Sequence, residues 1–303
     1  WVEKFRPSKI SECILPESVK AQAQNMVDTG NFNHIILAGS PGTGKTTLAK
    51  AMCSELGGDY IMYNGSDGSL NIEELRERIS EFAHTTSISN NNVHKVVIID
   101  EADGLDWRIQ PALRNAMEKY SKNCRFILTC NHPNKISNAI HSRCALIDFK
   151  FATGEKKKLV SELGKRVVGI LNESMVTYDI EPLKVVIGRY FPNNRKILNE
   201  LQQYANQNNC IDEGIVEQLA RNTDPLFDAI LDQNFTSVKQ WLVDNSMGGV
   251  FNVLYREGEK RIPKELLPLW IIKLGEAQRY HETVPNQELN VLAALTEFMA
   301  DMG

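Results

Sequence analysis

The run Gly39-Ser40-Pro41-Gly42-Thr43-Gly44-Lys45-Thr46 fits G-x-x-x-x-G-K-[ST] at every fixed position. It stands between an apolar strand pattern at Ile35–Ala38 and a helical pattern at Thr47–Leu56. Glycines let the backbone curl until successive N–H groups point at phosphate oxygens, and the helix that follows adds its positive end. In such a loop Lys45 reaches the β- and γ-phosphates and the Thr46 hydroxyl ligates Mg²⁺, with Thr47 next in the binding set. The strand–loop–helix setting separates this run from an ordinary glycine-rich turn.

A second run supplies carboxylates. Val96-Val97-Ile98-Ile99-Asp100-Glu101 is an apolar, largely β-branched strand ending in two acids, 55 residues beyond Lys45. Open α/β sheets bind ligands at the C-terminal ends of their strands. Asp100 is therefore expected to hold Mg²⁺ through water, and Glu101 to polarise an attacking water. In-line phosphoryl transfer needs this positioning and charge neutralisation more than covalent chemistry. The tetrad Asp100-Glu101-Ala102-Asp103 also suggests a D-E-A-D helicase, but such enzymes carry two tandem RecA-like domains, and the second half of this chain reads as helical.

These residues need a scaffold to hold them. Short β-rich runs fall at His34–Ala38, Tyr60–Tyr63, Lys95–Asp100, Arg125–Thr129 and Ala145–Phe149. Helical periods lie between them: Ile72, Leu75, Ile79 and Phe82 mark one face, with Asn71 and Glu74 as a capping box. Ile109, Leu113, Ala116, Met117 and Tyr120 mark another. Apolar strands separated by helices predict an α/β domain with a five-stranded parallel sheet. Beyond Phe151 the patterns are helical, including Glu155–Leu171, Pro182–Tyr190 and Asn194–Ala205, and no strand is expected after Pro225. The expected division is residues 1–152 (nucleotide-binding α/β domain), 153–223 (helical lid) and 224–303 (all-α collar).

Composition narrows the partners. The 303 residues are 42% hydrophobic and 24% charged, which suits a chain that buries a core. Residues 1–150 hold 17 basic and 17 acidic side chains, and the rest hold 17 against 21, giving the net −4. A uniformly basic surface for nucleic acid is excluded, so any DNA contact must come from a local stripe. Six cysteines form no C-x-x-C pair, which suits a reduced cytoplasmic setting. No apolar run approaches the ~18 residues that would span a membrane. No signal-peptide pattern opens the chain, and a start at Trp1 rather than Met leaves room for native residues before it.

Taken in order, the motifs resemble the AAA+ clamp-loader ATPases of the replication factor C small-subunit type. Glu3-Lys4-Phe5-Arg6-Pro7 is similar to the family's K-Y-R-P segment near the adenine, with Phe5 in place of the usual Tyr. The resemblance implies Phe5, Arg6 and Ile14 as nucleotide contacts. Asn64 matches the residue that restrains the catalytic Glu, and Asn131 the sensor beside the γ-phosphate. Ser142-Arg143-Cys144 matches the S-R-C signature, whose Arg acts on a neighbour's ATP. Phe191-Pro192-Asn193-Asn194-Arg195-Lys196 resembles the second sensor, putting Arg195 over the phosphates. That version, with Gln278-Arg279-Tyr280-His281 near the end, is nearest the tailed-phage branch of the family. Standing alone, Arg143 would read as a helix-capping surface arginine, Asn131 as a strand terminator and Arg195 as a partner of Glu200; the joint order decides against that.

The resemblance implies ATP and Mg²⁺ as cofactors, a RecA-like sheet with helical lid and collar, and DNA-dependent ATP hydrolysis completed by Arg143 in trans. It further implies a five-membered spiral of this chain with a distinct subunit, a ring-shaped sliding clamp and primer–template DNA as partners, and no membrane. Arg76, Arg108 and Arg114 are the candidate phosphate-backbone contacts, against the alternative of i,i+4 pairs with nearby Glu. Gln110 is the candidate link between DNA contact and the catalytic centre. The competing functions are another AAA+ DNA motor or replication initiator, which would need C-terminal strands, and a non-hydrolysing scaffold, which the intact Glu101 argues against.

Overall fold

The computed structural model describes residues 1–30, 32–67, 72–85, 94–151, 154–221, 223–245, 250–281, 284 and 286–302. The capping residue expected at Asn71 and the expected domain boundary at 152/153 fall outside these. The chain forms two compact units, residues 1–163 with 193–195, and residues 164–192 with 196–303.

In chain order the first unit contains α1 (Glu17–Thr29), β1 (His34–Ala38), α2 (Lys45–Leu56), β2 (Tyr60–Asn64), α3 (Ile72–His84), β3 (Lys95–Asp100), α4 (Ile109–Lys119), β4 (Cys124–Cys130), α5 (Asn138–His141) and β5 (Cys144–Asp148). α6 (Glu155–Glu173) begins in it and runs into the second unit. The strands form one parallel sheet in the order β2-β3-β4-β1-β5. Both faces of the central strands are buried, which is why their sequences are continuous apolar runs rather than alternations. Side chains at alternate positions face opposite layers. Ile36, Val97, Ile99, Phe126 and Leu128 meet Leu75 and Ile79 of α3 and Leu113 and Met117 of α4. Ile35, Leu37, Val96, Ile98 and Ile127 meet Val19 and Ala23 of α1 and Leu48 and Met52 of α2. At the β2 edge the pattern does alternate, leaving Tyr60 and Met62 exposed.

The chain leaves β1 toward one edge and returns to its other side as β5, so the strand order reverses at β1. A ligand site belongs at the C-terminal end of the strands at such a reversal. The loop after β1, the acids after β3 and the asparagine after β4 all emerge there.

The second unit is mainly helical: α7 (Ile180–Tyr190), α8 (Asn194–Asn208, whose first residues belong to the first unit), α9 (Glu213–Arg221), α10 (Asp224–Leu231), α11 (Phe235–Asp244), α12 (Val250–Arg261), α13 (Leu267–Tyr280) and α14 (Gln287–Asp301). A two-residue parallel pair, β6 (Thr177–Tyr178) with β7 (Cys210–Ile211), was not expected from the sequence, and neither was α9. From residue 224 onward all elements among the described residues are helices, as expected. These helices share a core centred on Trp270, which packs against Phe227 and Phe298 at ring-centroid distances of 5.8 and 4.8 Å. Among the described residues no helix is long and apolar enough to cross a membrane.

Candidate active site

The loop between β1 and α2 is shaped by backbone that L-residues avoid: Gly42 has φ +75° and Gly44 φ +99°. A Cβ on Gly42 would stand 1.9 Å from Asn193 Oδ1, and Asn194 N–H donates to Gly42 O at 3.0 Å. Thr43 Oγ1 closes the turn by donating to Ser40 O at 2.8 Å. Lys45 Nζ donates to Gly39 O at 2.7 Å, Ser40 O at 2.8 Å and Asn131 Oδ1 at 2.8 Å. This ammonium is buried, and among the described residues no carboxylate lies within ion-pair distance of it. Burial lowers its pKa, and the charge of Arg195 adds to that push against the nearby Cys130, Asp103 and Asp100. A buried cation held only by neutral oxygens fits an anionic phosphate ligand.

Asp100 Oδ1 accepts two hydroxyls, from Thr46 at 2.7 Å and from Thr129 at 2.5 Å. A threonine hydroxyl and a carboxylate converging this closely are the hard oxygen donors that suit Mg²⁺. Glu101 sits in the left-handed region at φ +53°, its side chain exposed and its N–H donating to Thr129 Oγ1 at 3.0 Å. A single threonine hydroxyl therefore bridges both acids. Gly65 N–H donates to Asp100 O at 2.7 Å, and a Cβ on Gly65 would come within 2.6 Å of Glu101 O, so the turn after β2 lies against this strand end. Asn64 is the register partner of Asp100, but its Oδ1 accepts from Ser66 N at 2.9 Å, within its own turn. Asp103 Oδ2 accepts from Asn131 N at 3.1 Å and His132 N at 2.9 Å, which fixes the loop carrying Asn131.

The N-terminal segment reaches the same end of the sheet. Arg6 Nη1 donates to Thr47 Oγ1 at 3.0 Å while its other nitrogens pair with Glu3. Leu15 Cδ2 lies 3.7 Å from where a Gly44 side chain would begin, and its neighbour Ile14 is half-buried; Phe5 is half-buried under Lys4. Arg195 is exposed, and its charge acts on both Lys45 and Glu3. Glu200 pairs instead with Lys196 at 2.8 Å.

Arg143 stands apart from this cluster. The β1–β5 register pairs His34 with Cys144, so Arg143 lies at the N-terminal end of β1. The phosphate loop leaves the opposite end at Gly39, about 16 Å away along the strand. Its guanidinium donates to Ala139 O at 2.5 Å, to Ser142 Oγ at 3.2 Å and to Glu118. Gln110 is buried and bridges backbone, donating to Lys135 O at 3.1 Å and accepting from Ser137 N at 2.8 Å. Of the three candidate DNA contacts, Arg76 is exposed on α3 with no ion pair among the described residues. Arg108 pairs with Asp106 at 2.7 Å, a contact that takes the Asp106 carboxyl down to about 2, and Arg114 donates to Asn115. The i,i+4 glutamate pair on α3 belongs to Arg78 and Glu74.

Thr129, Asp103 and Glu118 were missed from the sequence. Asp103 was visible only as a letter of the D-E-A-D tetrad, and Thr129 only as a residue of a strand pattern.

Residues 35–151 match the family described as ATPase family associated with various cellular activities (AAA), which sets the class. Solved chains of the Thermotoga maritima RuvB Holliday junction branch migration motor share the fold, with a TM-score of 0.58 at 19% identity over 75% of this chain and 79% of theirs. Two relatives extend the likeness over nearly the whole chain. The sliding-clamp-loader large subunit of Escherichia phage RB69 is 31% identical over 99% of this chain and 95% of its own length. The replication factor C small subunit of Archaeoglobus fulgidus is 35% identical over 91% and 89%. At that identity and coverage, the chain belongs to the AAA clamp-loader family of sliding-clamp-loader large subunits and replication factor C small subunits.

Proposed function

We propose that this chain, an ATPase subunit of a sliding-clamp loader, cleaves ATP only where two subunits meet. Lys45 and the loop N–H groups hold the phosphates, Thr46 and Asp100 hold Mg²⁺, and Arg143 of one subunit reaches the nucleotide bound to the next. Mg²⁺ supplies charge neutralisation on the phosphate oxygens. Glu101 orients and polarises the attacking water, Asn131 and Arg195 contact the γ-phosphate region, and Asn64 restrains Glu101 until activation. Phe5, Arg6 and Ile14 line the base side of the site. The carrying observation is the register that separates Arg143 from its own phosphate loop by the length of β1.

On this reading ATP binding closes an open five-membered spiral, formed with a distinct partner subunit, around a ring-shaped clamp and primer–template DNA. ATP must then bind the closed assembly more tightly than the open one. Arg76, Arg108 and Arg114 grip the phosphate backbone without reading sequence, and Gln110 links that grip to the catalytic centre. Residues 153–223 act as lid and 224–303 as collar, the latter supported by the separate core around Trp270.

The test is ATP turnover by the assembled complex, with and without primer–template DNA and clamp. Arg143→Ala is expected to keep nucleotide binding and to lose roughly 10³-fold or more in turnover, the scale of a trans arginine. Full activity of that variant, or of a strict monomer, refutes the reading. The motor alternative is not favoured: the described residues after 224 form no strand.

A further inference from the structure

Glu118 lies in the last turn of α4, and its Oε1 accepts a hydrogen bond from Arg143 Nη2. Arg143 Nη1 meanwhile donates to Ala139 O on α5 and to Ser142 Oγ just after it. Three of the five guanidinium N–H groups are thus engaged, by acceptors from two different helices. α4 is anchored in turn, with Ile109, Leu113 and Met117 buried against the sheet. The arginine side chain keeps 34% of its surface exposed and Glu118 keeps 51%, so the group is fixed while still presented outward.

We propose that Glu118 is a positioning residue for Arg143, holding the guanidinium ready for the neighbouring subunit's nucleotide before that neighbour arrives. The proposal rests on the trans reading of Arg143 above. A long arginine side chain loses rotamer freedom whenever it docks. With three acceptors already holding the plane, that loss occurs on folding and not in the transition state. The two N–H groups left over, on Nη2 and Nε, remain for the phosphate. The opposing effect is that a carboxylate beside the guanidinium dilutes its positive charge. The pair is half-exposed and therefore screened, so orientation outweighs dilution. A pair of this exposure contributes little to folding stability. Its loss is accordingly expected in turnover and not in the folded fraction.

The experiment uses the assembled complex with primer–template DNA. Glu118→Ala is expected to lower kcat about tenfold with KM for ATP unchanged, and Glu118→Gln, which retains an acceptor oxygen, to recover most of it. The double variant Glu118→Ala/Arg143→Ala should turn over no more slowly than Arg143→Ala alone. Mixed complexes give the readout that a structural fault would not: copies with Glu101→Gln can lend a well-held Arg143 but not cleave, and copies with Glu118→Ala can cleave but lend poorly. Assembled together they should exceed the summed turnover of each alone. A slow Glu118→Ala that its mixture fails to rescue overturns the proposal, as does wild-type turnover by Glu118→Ala or a double variant slower than Arg143→Ala. If Arg143→Ala itself turns over normally, the trans reading fails and this proposal with it. If Arg143→Ala is slow and Glu118→Ala normal, only the role of Glu118 falls.

Discussion

Replacing Thr129 by Val removes one hydroxyl and changes little else in shape, and that hydroxyl sits at the centre of the acidic strand end. It donates to Asp100 Oδ1 at 2.5 Å and accepts the Glu101 N–H at 3.0 Å, on a residue only 1% exposed. A hydrogen bond to a charged group contributes about 1.5–3 kcal/mol, and a buried N–H left without an acceptor costs about 1–3 kcal/mol. The extra buried methyl returns about 0.8 kcal/mol. The expected net loss is about 2–5 kcal/mol of folding stability, read by urea denaturation. Thr129 also holds Glu101 at its positive φ, so part of the loss falls on the reactive geometry. If half of it does, turnover at saturating ATP drops roughly fivefold to sixtyfold, at about 1.4 kcal/mol per factor of ten. Thr129→Ser keeps the hydroxyl and is expected to retain most of both properties. Wild-type stability and turnover in Thr129→Val would refute the reasoning, and so would a Ser variant as impaired as the Val one, because the methyl group would then be the important part.

Gly42→Ala should weaken nucleotide binding in a fluorescent-nucleotide titration. A side chain at φ +75° costs roughly 1–2 kcal/mol, and its Cβ would meet Asn193 Oδ1; unchanged affinity would show that the loop relaxes freely. Gln110→Ala removes both bonds to the Lys135–Ser137 backbone and should lower DNA-stimulated hydrolysis while nucleotide binding holds; unchanged stimulation would remove the coupling role. His34 accepts from Phe126 N at 3.2 Å and is pushed down from 6.5 to about 4, by burial first and then by Arg125 and His94 against the Met117 carbonyl. The unfolded chain therefore binds this proton more readily, so stability is full above pH 6.5 and falls as pH drops toward 4, by at most about 3 kcal/mol. Denaturation midpoints followed across that range should flatten in His34→Asn relative to the wild type.

The strands were legible because burial on both faces leaves unbroken runs such as Val96–Ile99, and the phosphate loop because it needs its residues adjacent in sequence. What could not be read is whatever depends on register. The pairing of Ile99 with Leu128 is what brings Thr129 level with Asp100, and the pairing of His34 with Cys144 is what removes Arg143 from its own site. Neither alignment leaves a periodic trace. Glu118 and Arg143 meet across 25 residues by the packing of two helix ends, which no spacing rule encodes. The β6–β7 pair is two residues long, too short for an alternation to show. The Asn64 oxygen is used by its own turn, so the restraint of Glu101 proposed from family likeness falls to the Nδ2 donors of that amide.

The direction of β1 thus divides the proposed chemistry in two. At its C-terminal end the chain gathers what binding requires: a buried ammonium held by neutral oxygens, two acids tied to one hydroxyl, and the charge of Arg195 nearby. A subunit with only that end can hold nucleotide with Arg195 close by, yet charge developing on the γ-phosphate lacks the second guanidinium that Arg143 supplies in trans. Moving the Arg143 guanidinium to that end as well would make each subunit an unconditional ATPase, since transition-state stabilisation would no longer depend on a neighbour. Keeping Arg143 at the N-terminal end, about 16 Å along a rigid and fully buried strand, prevents any side-chain rearrangement within one subunit from closing the gap. On the proposed reading, then, turnover reports contact between subunits, and whatever DNA or clamp does to that contact reaches the chemistry without touching the nucleotide.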